Sequence, residues 1–508
     1  GAVAVRNGAT VSALFRARSV ESRVIQLVRK IGEVVADSNV SDSGASIRSD
    51  AVFEYFCDKN MLSILVDIAK AKPSDGEEKQ IKLHKVAFSP RVKAQIYQTI
   101  AILISNAQDA PSLYYLLSNN YVNEMITGMF PLRQWNNHAL EEMLPLYVEL
   151  LRSIGIQLAA SPGLLSCLSR DESQSHNFPL FYAAVEVLTS SYANVDSYLH
   201  DKCRKIVISL MQIPDASVRA LTSTATAEHQ KLSLHVCQRL LDRYRRLCML
   251  TTGPVVDPIR SNAIAGQLGT LQHEIESLND ILWCGVKKLN VRTCECLLQR
   301  LVSKLLCDFF SSERRHLLAG VGDFDTDAIP EREAIAQVAT LFLSHLFLQL
   351  AYPPFIRMLA VALLHPLSST VWKKPLPRTE TSLDSYVLTK SLNRIISASS
   401  DETGEVANEE DTIPNHFRQE LLVCLSGECG EWRFVPVAIL LEAFLTSEAL
   451  DLDTLLSLKV LPSFSKKESR YPESPFEDAL AQFLRFRASE ISAVSISAME
   501  RAGSLSMT

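Results

Sequence analysis

Helical periodicity organises this chain. Val24, Leu27, Val28, Ile31, Val34 and Val35 recur at the i, i+3, i+4, i+7 spacing that lines one face of an α-helix. Leu297, Leu298, Leu301, Val302, Leu305, Leu306 and Phe309 draw a wider stripe with the same period. A stripe that wide needs neighbours on two sides, as in stacked helix pairs or triplets covered above and below. Residues 334–352 carry no formal charge, which approaches the ~20 apolar residues of a membrane span. Gln337, Thr340, Ser344, His345 and Gln349 interrupt the run, the first three on one helical face, and Pro353-Pro354 ends it. The pattern therefore predicts a buried helix of a layered protein rather than a span.

A second pattern is internal. Phe53 to Ser63 can be laid on Leu113 to Asn123 without gaps, at an offset of 60 residues, with apolar on apolar and Asn60 on Asn120. Each copy reads as a short apolar helix, a polar corner and a second apolar helix. Asn tolerates the left-handed conformation at a helix end, and its side chain can cap the next helix. Without the polar insert around Lys70 to Pro90 the period falls near 40, within the ~40–47 residues of armadillo and HEAT repeats. The expected fold is all-α, an armadillo/HEAT-like helical solenoid with long loop insertions.

Composition shifts divide the chain into an extension over 1–20, helical repeats over 21–200, a continuation of the array over 201–374, a polar acidic loop over 375–414, a further helical region over 415–488 and a Ser-rich tail over 489–508. Linkers are expected at 37–50, 70–90 and 251–262. Asp401 to Asp411 holds six acidic residues and no basic one. Gly1 to Leu14 is weakly apolar around Arg6, unlike a secretory signal, although a chain starting at Gly1 gives no view of what precedes it.

Composition narrows the choice further. Gly provides 18 of 508 residues, about half its usual share of ~7%, which disfavours folds rich in hairpins and βα turns. The net charge of −6 offers no field for a phosphate backbone, so no nucleic acid is expected. Eleven cysteines without regular spacing read as reduced thiols in a cytosolic setting.

Local chemistry is sparse. Cys294 and Cys296, and Cys424 and Cys429, lack the second pair of a zinc knuckle; of Cys294 and Cys296, the helical pattern predicts one buried and one exposed. No phosphate loop or nucleophile elbow occurs, so no catalytic residue, metal or cofactor is expected. Arg239, Arg243 and Arg246, spaced by 4 and 3, share a helical face that can meet acidic headgroups or an acidic partner. Tyr114, Tyr115, Asn119, Asn120 and Tyr121 form the other candidate contact, because Tyr joins an apolar body to a polar tip.

Ser112 to Asn123 resembles the signature segment of the FPL-domain family. Val52 to Met61 is similar to that family's V-F-D-F-F-x-x-K-N-M run, Phe178-Pro-Leu180 to its F-P-L tripeptide, and Leu278 to Leu282 with Asn290 and Leu297 to Leu306 to its L-N-D-I-L helix pair. The likeness runs from about Glu21 to Phe310. It implies an armadillo-like, cytoplasmic protein held peripherally on endosome, lysosome or Golgi membranes, a non-enzymatic scaffold of trafficking, autophagy and mitophagy. The partners it implies are a class C tethering complex, a Rab GTPase or a RING-type ubiquitin ligase. Two alternatives stand beside it: a soluble cargo-binding solenoid of nuclear-transport type, and a thiol-dependent ubiquitin-pathway enzyme using Cys57, Cys294, Cys296 or Cys424.

Overall fold

The computed structural model describes residues 20–35, 53–70, 88–107, 110–117, 120–169, 178–252, 258–310, 329–364, 416–425 and 431–450, with 455 and 458. The fold is all-α, with no strand among the described residues. Asn119, His176, Cys429, the tail and the acidic run at 401–411 lie outside them. The chain divides into two compact units, 1–232 and 233–508.

The first unit opens with α1 (20–35). Its expected apolar stripe is only partly used: Val28 and Val35 are buried, whereas Leu27 is 61% and Val34 54% exposed. The cause is Gly32, which lies so close to the helix carrying Thr99 that a Cβ there would stand 2.9 Å from Thr99 Cγ2. Contact is centred on Val28, Gly32 and Val35, and Leu27 and Val34 are turned away.

Three sets of helices follow. The first is α2 (53–58), α3 (Met61–Lys70) and α4 (Pro90–Asn106); the second is α5 (Ala110–Leu117), α6 (Tyr121–Gly128) and α7 (Asn137–Ala160). The third is α8 (Leu165–Leu168), α9 (Pro179–Leu188) and α11 (Ser197–Gln212), with the one-turn α10 (Ser191–Val195) before α11. Helices in corresponding positions pack on each other. α3 lies on α6 and α6 on α9, α4 on α7 and α7 on α11, and α5 on α8. Cap residues fix several starts: Ser89, Asn136 and Asp196 each accept a backbone N–H of the helix that follows. α7 is the one described helix long and apolar enough to cross a membrane, and here it packs between α4 and α11. Its Tyr147 is fully buried, donates to the Ile126 carbonyl at 2.8 Å and meets the Tyr97 ring edge-on at 5.3 Å.

α12 (Ala216–Thr224) leads to α13 (Thr226–Thr251), within which the unit boundary falls. α14 (Pro258–Trp283) begins inside the expected 251–262 linker, making residues 258–262 helical. Pro258 occupies the first helical position, where its missing N–H costs nothing.

In the second unit, α15 (Lys287–Cys296) passes through a π-helical turn, Leu297–Val302, into α16 (Ser303–Phe310). The predicted stripe from Leu297 to Phe309 is buried throughout, although its helix is not uniform. Cys294 and Cys296 are both buried, correcting the expected division into one buried and one exposed. Both are covered because α13 lies along α15, with Ser233 Oγ and Thr293 Oγ1 2.9 Å apart.

α17 (Ile329–Gln349) forms the centre of this unit, packed by α14, α16 and α20 (Glu431–Thr446). α18 (Pro353–Leu364) and α19 (His416–Leu425) pack on each other, and α19 on α20. The expected burial of the uncharged run holds. Thr340 and Ser344 direct their hydroxyls to the Ala336 and Thr340 carbonyls at 2.8 and 3.0 Å, so their polarity is satisfied within α17 itself. Phe347 meets Phe444 at 4.2 Å between ring centres.

Candidate partner-binding site

The Asn corners lie where the internal match places them. Asn60 and Asn120 have φ of 47° and 61°, both left-handed. The helix turns without help from the Asn120 side chain, which makes no cap bond; the expected capping role is absent there. Asn60 Nδ2 instead donates to Tyr121 Oη at 3.5 Å, joining the two corners.

The tyrosines have separate tasks. Tyr115 is turned inward: its hydroxyl donates to the Cys57 carbonyl at 3.1 Å and its ring meets Phe53 edge-on at 5.9 Å. Burial, then the neighbouring Cys57, pushes its hydroxyl up to about 12. Tyr114, one position earlier, is 43% exposed. Tyr55 stands at the equivalent of Tyr115 in the first set but is 63% exposed, with Lys59 Nζ 5.4 Å from its ring centre. Equivalent sequence positions thus supply glue between sets in one case and free surface in the other. The offset match could have found Tyr55. Tyr115→Phe is expected to lose about 1 kcal/mol of stability in urea unfolding, whereas Tyr114→Ala should stay within about 0.5 kcal/mol and act on binding alone.

The arginine face in the second unit is shared out differently. Arg239 Nε lies 2.9 Å from both Glu274 carboxylate oxygens, and Arg243 Nη2 lies 3.5 Å from Oε1. Arg243 also donates to Gln267 Oε1 at 3.4 Å. Burial, the largest cause, lowers its pKa below the usual arginine range, against the pull of Glu274. Arg245 bonds Asp242 at 3.3 Å, and Arg246 is exposed. Arg260 donates to the Leu250 carbonyl, so α13 and α14 run antiparallel. Met249 (68% exposed) and Ile259 (80% exposed) flank this end, and no residue of 258–270 is buried. The outward face is therefore Arg245 and Arg246 with Met249 and Ile259, while Arg239 and Arg243 brace the hairpin. Glu274 escaped the sequence reading because it is 35 residues from Arg239 and no local pattern links them.

Residues 44–211 match the family FPL, described as an uncharacterised conserved protein. This stretch is similar to the FPL domain. The match encloses α2 to all but the last residue of α11, and hence both Asn corners. Among similar proteins are the Protein TRANSPARENT TESTA 9 of Arabidopsis thaliana (23% identical, 60% of this chain and 32% of that protein), the Protein CLEC16A homolog of Drosophila melanogaster (24%, 67% and 30%) and the Protein CLEC16A of Mus musculus (26%, 69% and 29%). The matched region spans about a third of the length of these relatives. No solved structure matches the chain. The tyrosine corner lies inside the matched region and the arginine hairpin outside it.

Proposed function

We propose that this chain is a non-enzymatic scaffold in endosome–lysosome or Golgi–vacuole trafficking and in autophagy, working at the cytoplasmic face of those membranes. The supporting observation is the succession of helix sets within the FPL domain, where α3, α6 and α9 pack in series beside α4, α7 and α11. On this reading the sets are the layers of an armadillo/HEAT-like solenoid, which holds separated patches at fixed spacing. The exposed Tyr55 and Tyr114 receive a protein partner, for which a class C tethering complex, a Rab GTPase or a RING-type ubiquitin ligase are the candidates the family resemblance brings. The Arg246, Met249 and Ile259 end of the α13–α14 hairpin suits an anionic membrane surface, to which each basic residue contributes about 1 kcal/mol.

Proximity labelling by the full chain in cells tests the reading. Endosomal, lysosomal or Golgi proteins should be enriched, and the Tyr55→Ala, Tyr114→Ala double variant should lose protein neighbours several-fold at unchanged melting temperature. Enrichment of nuclear pore and cargo proteins instead would overturn it in favour of a transport solenoid.

A further inference from the structure

The interior of the second unit holds a pair of thiols that the trafficking reading leaves without a role. Cys237 of α13 is fully buried and donates its S–H to the Cys296 carbonyl at 3.4 Å. Each of the two thiols is the largest single influence on the titration of the other. Residues 296 and 301 are five apart, the spacing that a π turn pairs. Through its bond to the Cys296 carbonyl, the Cys237 sulfur sits at the N-terminal edge of the π turn at Leu297–Val302. A side chain inserted in the hydrogen-bond ladder is a recognised cause of helix irregularity, and π turns are frequent at functional sites.

The two sulfurs are not equivalent. Cys237 is 0% exposed and Cys296 9%, so a small oxidant arriving from solvent meets Cys296 first. The neighbouring Cys237 is the largest influence holding the Cys296 thiol below its ordinary range; burial opposes it, and the Arg300 and Arg292 charges assist. Its partner moves the other way, raised by the neighbouring Cys296 and by burial. Cys294, two residues from Cys296, is raised by burial. An asymmetric pair, one sulfur more acidic and the less deeply buried of the two and the other held against it, is the arrangement of an attacking and a resolving thiol.

We infer that Cys237 and Cys296 form a peroxide-sensitive dithiol, oxidised to a disulfide that ties α13 to the π turn. In the first step the Cys296 thiolate attacks one oxygen of hydrogen peroxide. An S–O bond forms, the O–O bond breaks, and the departing hydroxide takes up a proton to become water. In the second, the Cys237 sulfur gives up its proton and attacks the sulfenic sulfur. The S–S bond forms, the S–O bond breaks, and hydroxide leaves with that proton as a second water. Two thiols and one peroxide become one disulfide and two waters. The disulfide has no S–H to offer the Cys296 carbonyl, so oxidation also removes a hydrogen bond from the π turn.

The test uses the native full chain, treated with hydrogen peroxide, alkylated and digested without reduction. Peptide mapping by mass spectrometry should find the Cys237–Cys296 cross-link as the main oxidised product, reversed by dithiothreitol and absent from Cys237→Ala and Cys296→Ala. In Cys237→Ala the Cys296 sulfenic acid should persist and be trapped by dimedone. Cross-links spread evenly over Cys248, Cys284 and Cys294, a Cys296 sulfinic acid beside an intact Cys237 thiol, or both thiols unchanged while the half-buried Cys284 oxidises would each overturn the inference. The wild-type map decides even where an alanine variant fails to fold.

Discussion

Replacing Asn120 with Val is expected to lower the unfolding free energy by about 1–3 kcal/mol, while Asn120→Gly leaves it near the starting value. At φ 61° an L-residue brings its Cβ against the following carbonyl, a clash that Asn tolerates, Gly escapes and a β-branched side chain makes worse. Since the Asn120 side chain makes no cap bond, neither change removes a cap, and the contrast between Val and Gly isolates the backbone. Asn60→Val should cost a similar amount and additionally break the bond to Tyr121. Equal losses for Gly and Val in urea unfolding would mean that a side-chain contact, not the left-handed turn, is what Asn120 provides.

A larger loss, about 3–5 kcal/mol, is expected for Glu274→Ala. The Glu274 side chain is 6% exposed and its two arginines 17% each, so removing the carboxylate strands two largely buried cations at the base of the α13–α14 hairpin. Replacing all three with Leu, Leu and Met should recover most of the loss, because well-packed apolar residues often match a buried ion cluster. A loss below about 1 kcal/mol for Glu274→Ala would show these arginines to be well served by water. In that case they would rejoin Arg246 as surface available to an anionic partner.

These two sites differ in how far the residues alone reveal them. The Asn corners were legible because the feature is local: one residue type at the junction of two apolar runs, repeated 60 residues later. The arginine face was legible only as a face. What it faces is set by tertiary folding, which brings Glu274 from the next helix. The burial of Cys296 and the π turn were hidden for the same reason, since an i+5 turn leaves the apolar period almost intact and the side chain that meets it, Cys237, lies 59 residues earlier. The narrow contact of α1 could be traced to Gly32, but only with Thr99 in place does that glycine become a point of close approach.

The three helix sets also indicate where the chain tolerates extra length. Between the second and third helix of each set, the link runs over 71–89, then 129–136, then 189–196, where it holds α10. By contrast the first corner is only Lys59 and Asn60, with its geometry fixed by a left-handed residue. Growth in the longest link, 71–89, is expected to leave the packing of α3 on α6 and α4 on α7 unaltered, since closing a longer loop costs only about 0.6 kcal/mol per doubling. The two shorter links are packed, with Met129 and Ala193 fully buried and Trp135 nearly so, so a fluorescent or affinity tag is expected to be tolerated between α3 and α4 and to disturb the core at the other two.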